Sequence, residues 1–113
     1  MNIVLRQGEI VMVPFPFSDL SAVKTRPAVV VSNHKYKGKD VILCAVTSQK
    51  SGMQEVVIND DDLSWGNLPL ASYARYGKVI SMERNLISRV VAKVGKKKLV
   101  EIIAGLVGLV ECD

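Results

Sequence analysis

The sequence predicts a mainly β, α+β domain in which five or more short strands precede one C-terminal helix. Three observations support this prediction. Runs rich in β-branched residues recur between turn residues as far as Val94, helical spacing of apolar residues is confined to Lys96–Val110, and strand and helix patterns do not alternate as in a parallel α/β fold. Because 113 residues is the length of one domain, we expect a single domain over residues 1–113.

The predicted strands follow the apolar runs in chain order. They cover Glu9–Val13, Pro27–Val31, Val41–Val46, Gln54–Ile58, two pieces within Leu70–Met82 around Gly77, and Arg89–Val94. Pro14 and Pro16 remove hydrogen-bond donors from the ladder and so end the first strand. The polar segment Asn59–Pro69, which holds the single tryptophan, is interpreted as a long loop, and Glu83–Leu86 as one helical turn.

The predicted helix, Lys96–Val110, has features that weaken it in isolation. Apolar residues recur at helical spacing at Leu99, Ile102, Ile103, Leu106 and Val110. Three lysines at its start have the wrong sign for the helix dipole, and Gly105 and Gly108 each cost about 1 kcal/mol relative to alanine. We therefore expect the helix to depend on packing against the sheet or another chain. The glycines either permit close approach of a partner or are simply tolerated.

Composition and charge exclude several classes of protein. A chain that is 49% hydrophobic and 23% charged is typical of a folded soluble protein. The N-terminus does not resemble a signal peptide and the apolar runs are too short to span a bilayer, so we expect a cytoplasmic protein without membrane contact. Cys44 and Cys112 form neither a disulfide framework nor zinc-site spacing. The net charge of +4 is compatible with a polyanionic partner.

The chemistry open to the chain is limited by the motifs that the sequence lacks. It contains no glycine-rich phosphate loop and no nucleophile elbow, and its single histidine, His34, excludes a two-histidine nuclease. The only acidic cluster, Asp60–Asp62, favours a solvated loop over a Mg²⁺ site. We therefore predict no metal site and no small-molecule cofactor.

Two strand–loop junctions form the candidate site. Lys24-Thr25-Arg26-Pro27 enters a buried strand, and Pro27 holds Arg26 in an extended conformation. Ala45-Val46-Thr47-Ser48-Gln49 leaves another buried strand. If these two strands pair antiparallel, Arg26 and Thr47 lie together at one cleft. A guanidinium and a hydroxyl in that arrangement suit a phosphate group.

Several blocks of this sequence match the pattern of one family. Gly8-Glu9-Ile10-Val11, Pro14–Phe17 and Lys24–Ser32 follow the order G-[DE]-[IV], an F-P-F-like segment, and R-P-[AV]-[LV]-V-[LIV]-S, while Ala45–Ser48, Ser72–Leu86 and Val94-Gly95 match later blocks. Over nearly the whole chain these blocks resemble the MazF/PemK-like toxins. The chain differs at Tyr76-Gly77, where the family usually has D-Q, and in its first loop, Ser18–Lys24.

The resemblance implies an SH3-like small β-barrel with a C-terminal α-helix, usually a homodimer. It implies metal-independent, sequence-specific cleavage of single-stranded RNA, in which the ribose 2′-OH attacks the adjacent phosphorus and leaves a 2′,3′-cyclic phosphate and a 5′-OH. It also implies a cognate antitoxin as the protein partner, whose disordered tail occupies the RNA groove.

The resemblance and the junctions together suggest roles for particular residues. Arg26 and Thr47 are the candidate catalytic residues, with Arg26 stabilising the charge on phosphorus and Thr47 donating to a non-bridging oxygen. The general base stays open, because His34 is expected in a turn away from the cleft. The candidate RNA-binding residues are Phe17, Lys24, Ser48, Gln49, Lys50 and Arg84.

Two alternatives remain open at the level of sequence. A toxin of the same barrel class that poisons DNA gyrase, as CcdB does, would need no active-site arginine. A plain RNA-binding SH3-like module would bind RNA in a salt-dependent way without cleaving it.

Overall fold

The computed structural model describes residues 4–14 and 24–113. These residues form seven strands, one α-helix and two single turns of 3₁₀-helix at Asp60–Asp62 and Arg84–Leu86. In chain order the elements are β1 (Glu9–Pro14), β2 (Thr25–Val30), β3 (Asp40–Thr47), β4 (Glu55–Ile58), β5 (Leu63–Gly66), β6 (Ser72–Glu83), β7 (Arg89–Val94) and α1 (Lys96–Val110). The mainly β prediction and the bounds of the helix are confirmed.

The strands form one curled antiparallel sheet in the order β4-β6-β3-β2-β1-β7-β5. The site-bearing strands β2 and β3 are therefore central, flanked by β1 on one side and β6 on the other. In the described residues β1 extends to Pro14, one residue beyond the predicted end at Val13, and Pro14 pairs with Thr25. No helix in the described part of the chain is long and apolar enough to cross a membrane.

Each face of the sheet buries its own apolar cluster, because side chains alternate between the faces along a strand. One face packs against α1, whose Ile102 is fully buried, with Leu99, Ile103 and Leu106 partly buried around it. The second cluster comprises Val11, Val13, Ala28, Val30, Val41, Leu43, Ala45, Met82 and Ile87. The central strands are thus enclosed on both faces, and packing against the sheet stabilises the weak helix.

The two glycines of α1 have different surroundings. Strand β6 contains a bulge, because Arg75 pairs with Ala45 whereas Val79 pairs with Cys44, which leaves three extra residues between them. The first of these, Tyr76, lies against α1 so closely that a Cβ on Gly105 would be 2.7 Å from its ring. A Cβ on Gly108 would meet nothing within 4 Å. Gly105 therefore accommodates a side chain of its own sheet, while Gly108 is only tolerated.

The interpretation of Asn59–Pro69 as a long loop is wrong. This segment contains the turn Asp60–Asp62 and the edge strand β5, which pairs with β7. Gly66 makes the pairing possible, since its φ is +79° and a Cβ there would collide with the Val91 carbonyl oxygen. The polar composition that suggested a loop reflects the exposure of an edge strand, in which Trp65 is about half exposed.

The lysines at the start of α1 are partly compensated. The Lys98 ammonium lies 3.3 Å from the Glu101 carboxylate and 3.7 Å from that of Asp62. The Gly95 N–H donates to the Asp62 carbonyl oxygen at 2.7 Å. The chain before the helix thus supplies a negative charge close to its positive end.

The contact between Gly105 and Tyr76 predicts opposite effects for the same substitution at the two glycines. Gly105→Ala should lower the free energy of unfolding, because overpacking costs about 1–3 kcal/mol and outweighs the gain in helix propensity. Gly108→Ala, the matched control, should raise it by up to about 1 kcal/mol. Urea unfolding measures both, and equal stabilisation of the two variants would refute the close packing of Tyr76.

Candidate active site

The pairing of β2 with β3 puts the two predicted catalytic residues at the same end of these strands. Ala28 lies opposite Ala45 in the antiparallel ladder, and continuing this register by two residues sets Arg26 opposite Thr47. Directly opposed residues lie on the same face of a sheet, so both side chains project from the same face. The last hydrogen-bonded pair at this end of the ladder is Ala28 with Ala45. The residue before Ala28 is Pro27, which has no N–H to donate to β3. The antiparallel pairing expected from the sequence is confirmed.

A local hydrogen bond orients the Thr47 hydroxyl. Its oxygen accepts the backbone N–H of Gln49 at 3.2 Å, which forms a tight turn as the chain leaves β3. Because that bond uses a lone pair, the hydroxyl proton stays available for donation to a phosphate oxygen. Thr47 is partly buried whereas Arg26 is exposed. The site thus combines a fixed donor with a guanidinium that solvent can reach.

The loop from β3 to β4 is held by one carboxylate. The Glu55 carboxylate accepts hydrogen bonds from the Ser51 N–H at 3.0 Å, the Ser51 hydroxyl at 3.0 Å and the Gly52 N–H at 2.9 Å. The hydrogen bond from the Ser51 backbone lowers the pKa of Glu55, and burial opposes this effect. The loop that follows Thr47 is therefore ordered by contacts that favour the ionised form of Glu55.

A second arginine, Arg75, lies beside the candidate pair and was missed from the sequence. It stands opposite Ala45 on β6, while its neighbour on the same face, Tyr73, stands opposite Thr47. A diagonal position of this kind is within reach of a long side chain. The Arg75 Nε lies 4.0 Å from Glu55 Oε1, at the outer limit of an ion pair, and is buried without a hydrogen-bond partner in the described structure.

Arg75 and Glu55 differ in their access to solvent. The side chain of Arg75 is 22% exposed, whereas that of Glu55 is 8% exposed. Glu55 is also directly opposite Arg75 in the pairing of β4 with β6. The carboxylate therefore lies beside the buried Nε of the arginine, while part of the Arg75 side chain remains accessible to solvent. The sequence alone contains no signal that relates Arg75 to Thr47, because the two residues become neighbours only through the pairing of β3 with β6.

The predicted RNA-binding residues fall into three groups. Lys24 precedes β2, and the segment Ser48–Lys50 follows β3, so these exposed residues lie beside Arg26 and Thr47. Arg84 does not join them, because it follows β6 at the opposite end of β3. Phe17 lies outside the described residues.

The local environment explains the other side chains that were considered as nucleophiles, bases or metal ligands. Burial raises the pKa of the Cys44 thiol to about 12, so it is protonated at neutral pH and is a poor nucleophile. Asp62 accepts the Asn59 N–H at 2.8 Å and closes the Asp60–Asp62 turn. His34 occupies an exposed turn, as expected. Among the described residues, no three His, Cys, Asp or Glu side chains are placed to hold a metal ion.

The comparison with protein families decides the assignment. Residues 6–109 match the model of the PemK-like, MazF-like toxins of type II toxin–antitoxin systems. The chain belongs to this family. The match spans both halves of the candidate site, Arg26 and Thr47, and the whole of the sheet and helix up to Leu109. No curated protein sequence is significantly similar to the chain.

Solved MazF structures share the fold. A mycobacterial endoribonuclease in complex with its cognate antitoxin superposes with a TM-score of 0.75 at 16% identity, over 97% of this chain and all of that one. MazF in a MazE–MazF complex from Deinococcus radiodurans gives 0.74 at 21% identity, over 99% and 100%. The Mycobacterium tuberculosis toxin MazF-mt6 gives 0.73 at 13% identity, over 93% and 98%. At these identities the likeness establishes the fold.

The hydrogen bonds of Glu55 predict a pH dependence of stability in this MazF-like chain. A carboxyl with a lowered pKa stabilises the folded state above its unfolded-state pKa, and this contribution is lost as the pH falls through the folded-state value. Glu55→Gln should therefore be less stable than wild type at pH 7, and the difference should shrink below about pH 4.3, the ordinary value for glutamate.

Urea unfolding at pH 7 and at acid pH measures this effect. Glu111→Gln is the matched control, because Glu111 is exposed and its side chain makes no hydrogen bond or ion pair within the described residues. A difference between Glu55→Gln and wild type that stays constant over this pH range would contradict the role assigned to the Glu55 carboxylate.

Proposed function

We propose that the protein is an endoribonuclease toxin that cleaves single-stranded RNA, in particular mRNA, at specific sequences without a metal ion. The observation that carries the proposal is the antiparallel β2–β3 register, which supports Arg26 and Thr47 as opposite neighbours when it is continued two residues beyond Ala28 and Ala45. Membership of the MazF-like family supports it, as do fold relatives that are themselves endoribonucleases. We expect this activity in the cytoplasm.

The reaction is an in-line transfer at phosphorus. The 2′-oxygen forms a bond to phosphorus, the bond from phosphorus to the 5′-oxygen breaks, the 2′-OH proton leaves, and the 5′-oxygen gains a proton. The products are a 2′,3′-cyclic phosphate and a 5′-OH. Negative charge grows on the non-bridging oxygens in the transition state, and fixed donors aimed at those oxygens lower the barrier.

The residues divide this work according to their chemistry. The Arg26 guanidinium grips phosphate oxygens with two parallel N–H donors. An arginine keeps its proton at neutral pH, so Arg26 acts as a charge stabiliser rather than as a base. Thr47 donates its hydroxyl proton, which stays available because the bond from the Gln49 N–H uses only a lone pair of the oxygen. Arg75 adds a second positive charge on the same face, held by Glu55.

The proposal includes a cognate antitoxin as partner. Two of the fold relatives were solved with their antitoxins. In this chain, α1 borders an apolar groove of about 740 Å³ lined in part by Leu99, Val100, Ile103 and Val107. Lys93 and Lys96 also line it. Such a groove suits an amphipathic segment that carries carboxylates, and charge complementarity favours an acidic partner.

The proposal also includes a homodimer. Exposed apolar residues gather where the end of α1 meets the bulge of β6 and the β3–β4 loop, since a Cβ on Gly77 would lie 3.8 Å from Leu109 and 3.6 Å from Gln54. The large apolar side chains exposed in or next to these three segments include Met53, Val79, Leu109 and Val110. Clustered exposed apolar residues of this kind mark interaction surfaces.

The catalytic assignment predicts large losses of activity without loss of the fold. Arg26→Ala and Thr47→Ala should each slow RNA cleavage by at least about 100-fold, the cost of removing one donor to a developing oxyanion. Thr47→Ser keeps the hydroxyl and should retain more activity than Thr47→Ala. Cleavage of a long RNA in EDTA, with mapping of the product ends, measures rate and chemistry together, and urea unfolding checks the fold.

Three results of that experiment would contradict the proposal. The first is RNA that stays intact at a high concentration of the wild-type protein. The second is a wild-type cleavage rate for Arg26→Ala. The third is cleavage products whose 3′ ends carry a hydroxyl group instead of a 2′,3′-cyclic phosphate. Salt-dependent binding of intact RNA would instead favour a plain RNA-binding module.

The dimer proposal predicts different outcomes for two equally exposed leucines. Leu109 and Leu86 are each 50% exposed, but Leu86 lies in the turn after β6, away from the end of α1. Leu109→Glu should shift the protein towards monomer, because it buries a charge in the proposed interface. Leu86→Glu should leave the mass unchanged. Sedimentation equilibrium measures both, and a monomeric wild type would refute the dimer.

A further inference from the structure

A second group of cations lies at the other end of the strands that carry Arg26 and Thr47. A cavity of about 330 Å³ is bordered by Arg6, His34 and Arg84, with Val30 and Val41 among its apolar walls. Val30 ends β2 and Val41 is the second residue of β3, whereas the candidate active site lies at the start of β2 and the end of β3. The described residues lining this cavity include no carboxylate.

Arg84 lines this cavity and carries a donor without a hydrogen-bond partner in the described structure. Its backbone N–H donates to the Lys39 carbonyl oxygen at 3.0 Å, which fixes the start of the side chain. Its Nε is buried and has no hydrogen-bond partner within the described structure. A buried donor without a partner is costly, and an anion in the cavity would remove that cost. The volume is at the lower end of the range for ligand pockets, about 300–1,000 Å³, so it suits one phosphate and part of its nucleotide.

The neighbouring segment 33–39 extends this positive surface. It runs Asn-His-Lys-Tyr-Lys-Gly-Lys, every residue from His34 onwards is exposed, and it contains no acidic residue. Its three lysines make no ion pair with the described carboxylates. We call Arg6, Arg84 and the segment 33–39 the basic platform.

An aromatic ring stands at a fixed position on the basic platform. The Tyr36 hydroxyl donates to Ser81 Oγ at 3.0 Å, and the Ser81 hydroxyl donates to Asp40 at 3.2 Å. The Asn33 side chain accepts the Lys35 N–H at 2.9 Å, which holds the turn. Tyr36 nevertheless remains 38% exposed. A rigid exposed ring among cations is the arrangement on which single-stranded nucleic acids stack their bases.

We propose that the basic platform is a second RNA-binding site, in which the cavity takes a backbone phosphate and Tyr36 stacks on a base. This inference rests on the proposed function, since it extends the binding of the same RNA beyond the scissile bond. At about 3.3 Å per residue, the strands from Arg26 to Val30 and from Val41 to Thr47 span about 13 and 20 Å. At about 3.4 Å per stacked nucleotide, this separation corresponds to roughly four to six nucleotides.

The salt dependence of RNA binding tests the platform. The parent is Arg26→Ala, which is expected to cleave RNA at least about 100-fold more slowly than wild type, and the probes are end-labelled RNAs of 20 and 4 nucleotides. The logarithm of the binding constant decreases linearly with the logarithm of the salt concentration. For a single strand, this slope becomes shallower by about 0.7 for each phosphate that the protein no longer neutralises. Adding Lys35→Gln and Lys37→Gln should therefore reduce the slope for the 20-mer by about 1.4 and leave that for the 4-mer unchanged.

A matched control separates the platform from general charge. Lys97→Gln removes one charge from an exposed lysine at the start of α1, and the slope should stay at the parent value, whereas Lys35→Gln or Lys37→Gln alone should reduce it by about 0.7. An equal effect of Lys97→Gln and a single platform variant, or no effect of the platform pair, would overturn the proposal. Failure of the proposed function is distinguishable, since it appears as a wild-type protein that cleaves no RNA.

The ring contributes separately from the charges. Tyr36→Leu should weaken binding of the 20-mer about 5- to 150-fold, the equivalent of removing one base stack. Tyr36→Phe keeps the ring and removes only the hydrogen bond to Ser81, so binding should remain near the parent value. Equal binding by the Leu and Phe variants would overturn the stacking role.

A last measurement distinguishes RNA phosphate from free phosphate. Inorganic phosphate replaces chloride at constant ionic strength while Tm is followed for the parent and for Arg84→Gln. A rise in the Tm of the parent that Arg84→Gln abolishes, together with an unchanged RNA slope for the platform pair, would mean that the cavity binds a free anion and would overturn the RNA proposal. A reduced RNA slope supports it.

Discussion

The antiparallel register of β2 and β3 determines the geometry of the candidate site. Because Ala28 is opposite Ala45, the residues two positions further along, Arg26 and Thr47, project from the same face. A slip of one residue between the strands would turn one of the two side chains to the other face. The register is well specified, since these strands are buried on both faces and any slip would exchange the residues of two separate apolar clusters. Core packing thereby fixes the register on which the proposed pairing of a guanidinium with a hydroxyl depends.

Hydrogen bonds and charged groups order the loop that follows Thr47. The chain leaving β3 turns at once, with the Thr47 oxygen accepting the Gln49 N–H. The remainder of the loop is held by Glu55, which also lies within ion-pair distance of Arg75. The carboxylate thus orders the loop and one of the two arginines near Thr47. Preorganised donors of this kind are effective because they need no reorganisation as charge develops on phosphorus.

Much of the fold was readable from the sequence because its signals are local. The apolar runs and the prolines indicated the central strands, and helical spacing indicated the bounds of α1. The edge strand β5 was missed because its residues are mostly exposed and polar, and its pairing depends on Gly66 lying against the Val91 carbonyl. The role of Gly105 also could not be read, since Tyr76 reaches it only through the bulge in β6.

The candidate site was readable in part, for the same physical reason. Arg26 and Thr47 adjoin strongly apolar strands, so their positions at strand ends could be inferred from neighbours in sequence. Arg75 and Glu55 could not, because they meet Thr47 only through the pairing of β3, β4 and β6. Arg84 shared a basic character with Lys24 and Lys50 but lies at the other end of the sheet. Charge alone does not determine which end of a strand a residue occupies.

A double-mutant cycle on RNA cleavage tests most directly whether Arg26 and Thr47 act on one phosphate. The rates of wild type, Arg26→Ala, Thr47→Ala and the double variant give the coupling between the two side chains. If both residues stabilise the same transition state, the double variant should lose less than the product of the two single losses, with a coupling of about 0.5–3 kcal/mol. Losses that simply multiply would show that the two residues act independently and would contradict the site described above.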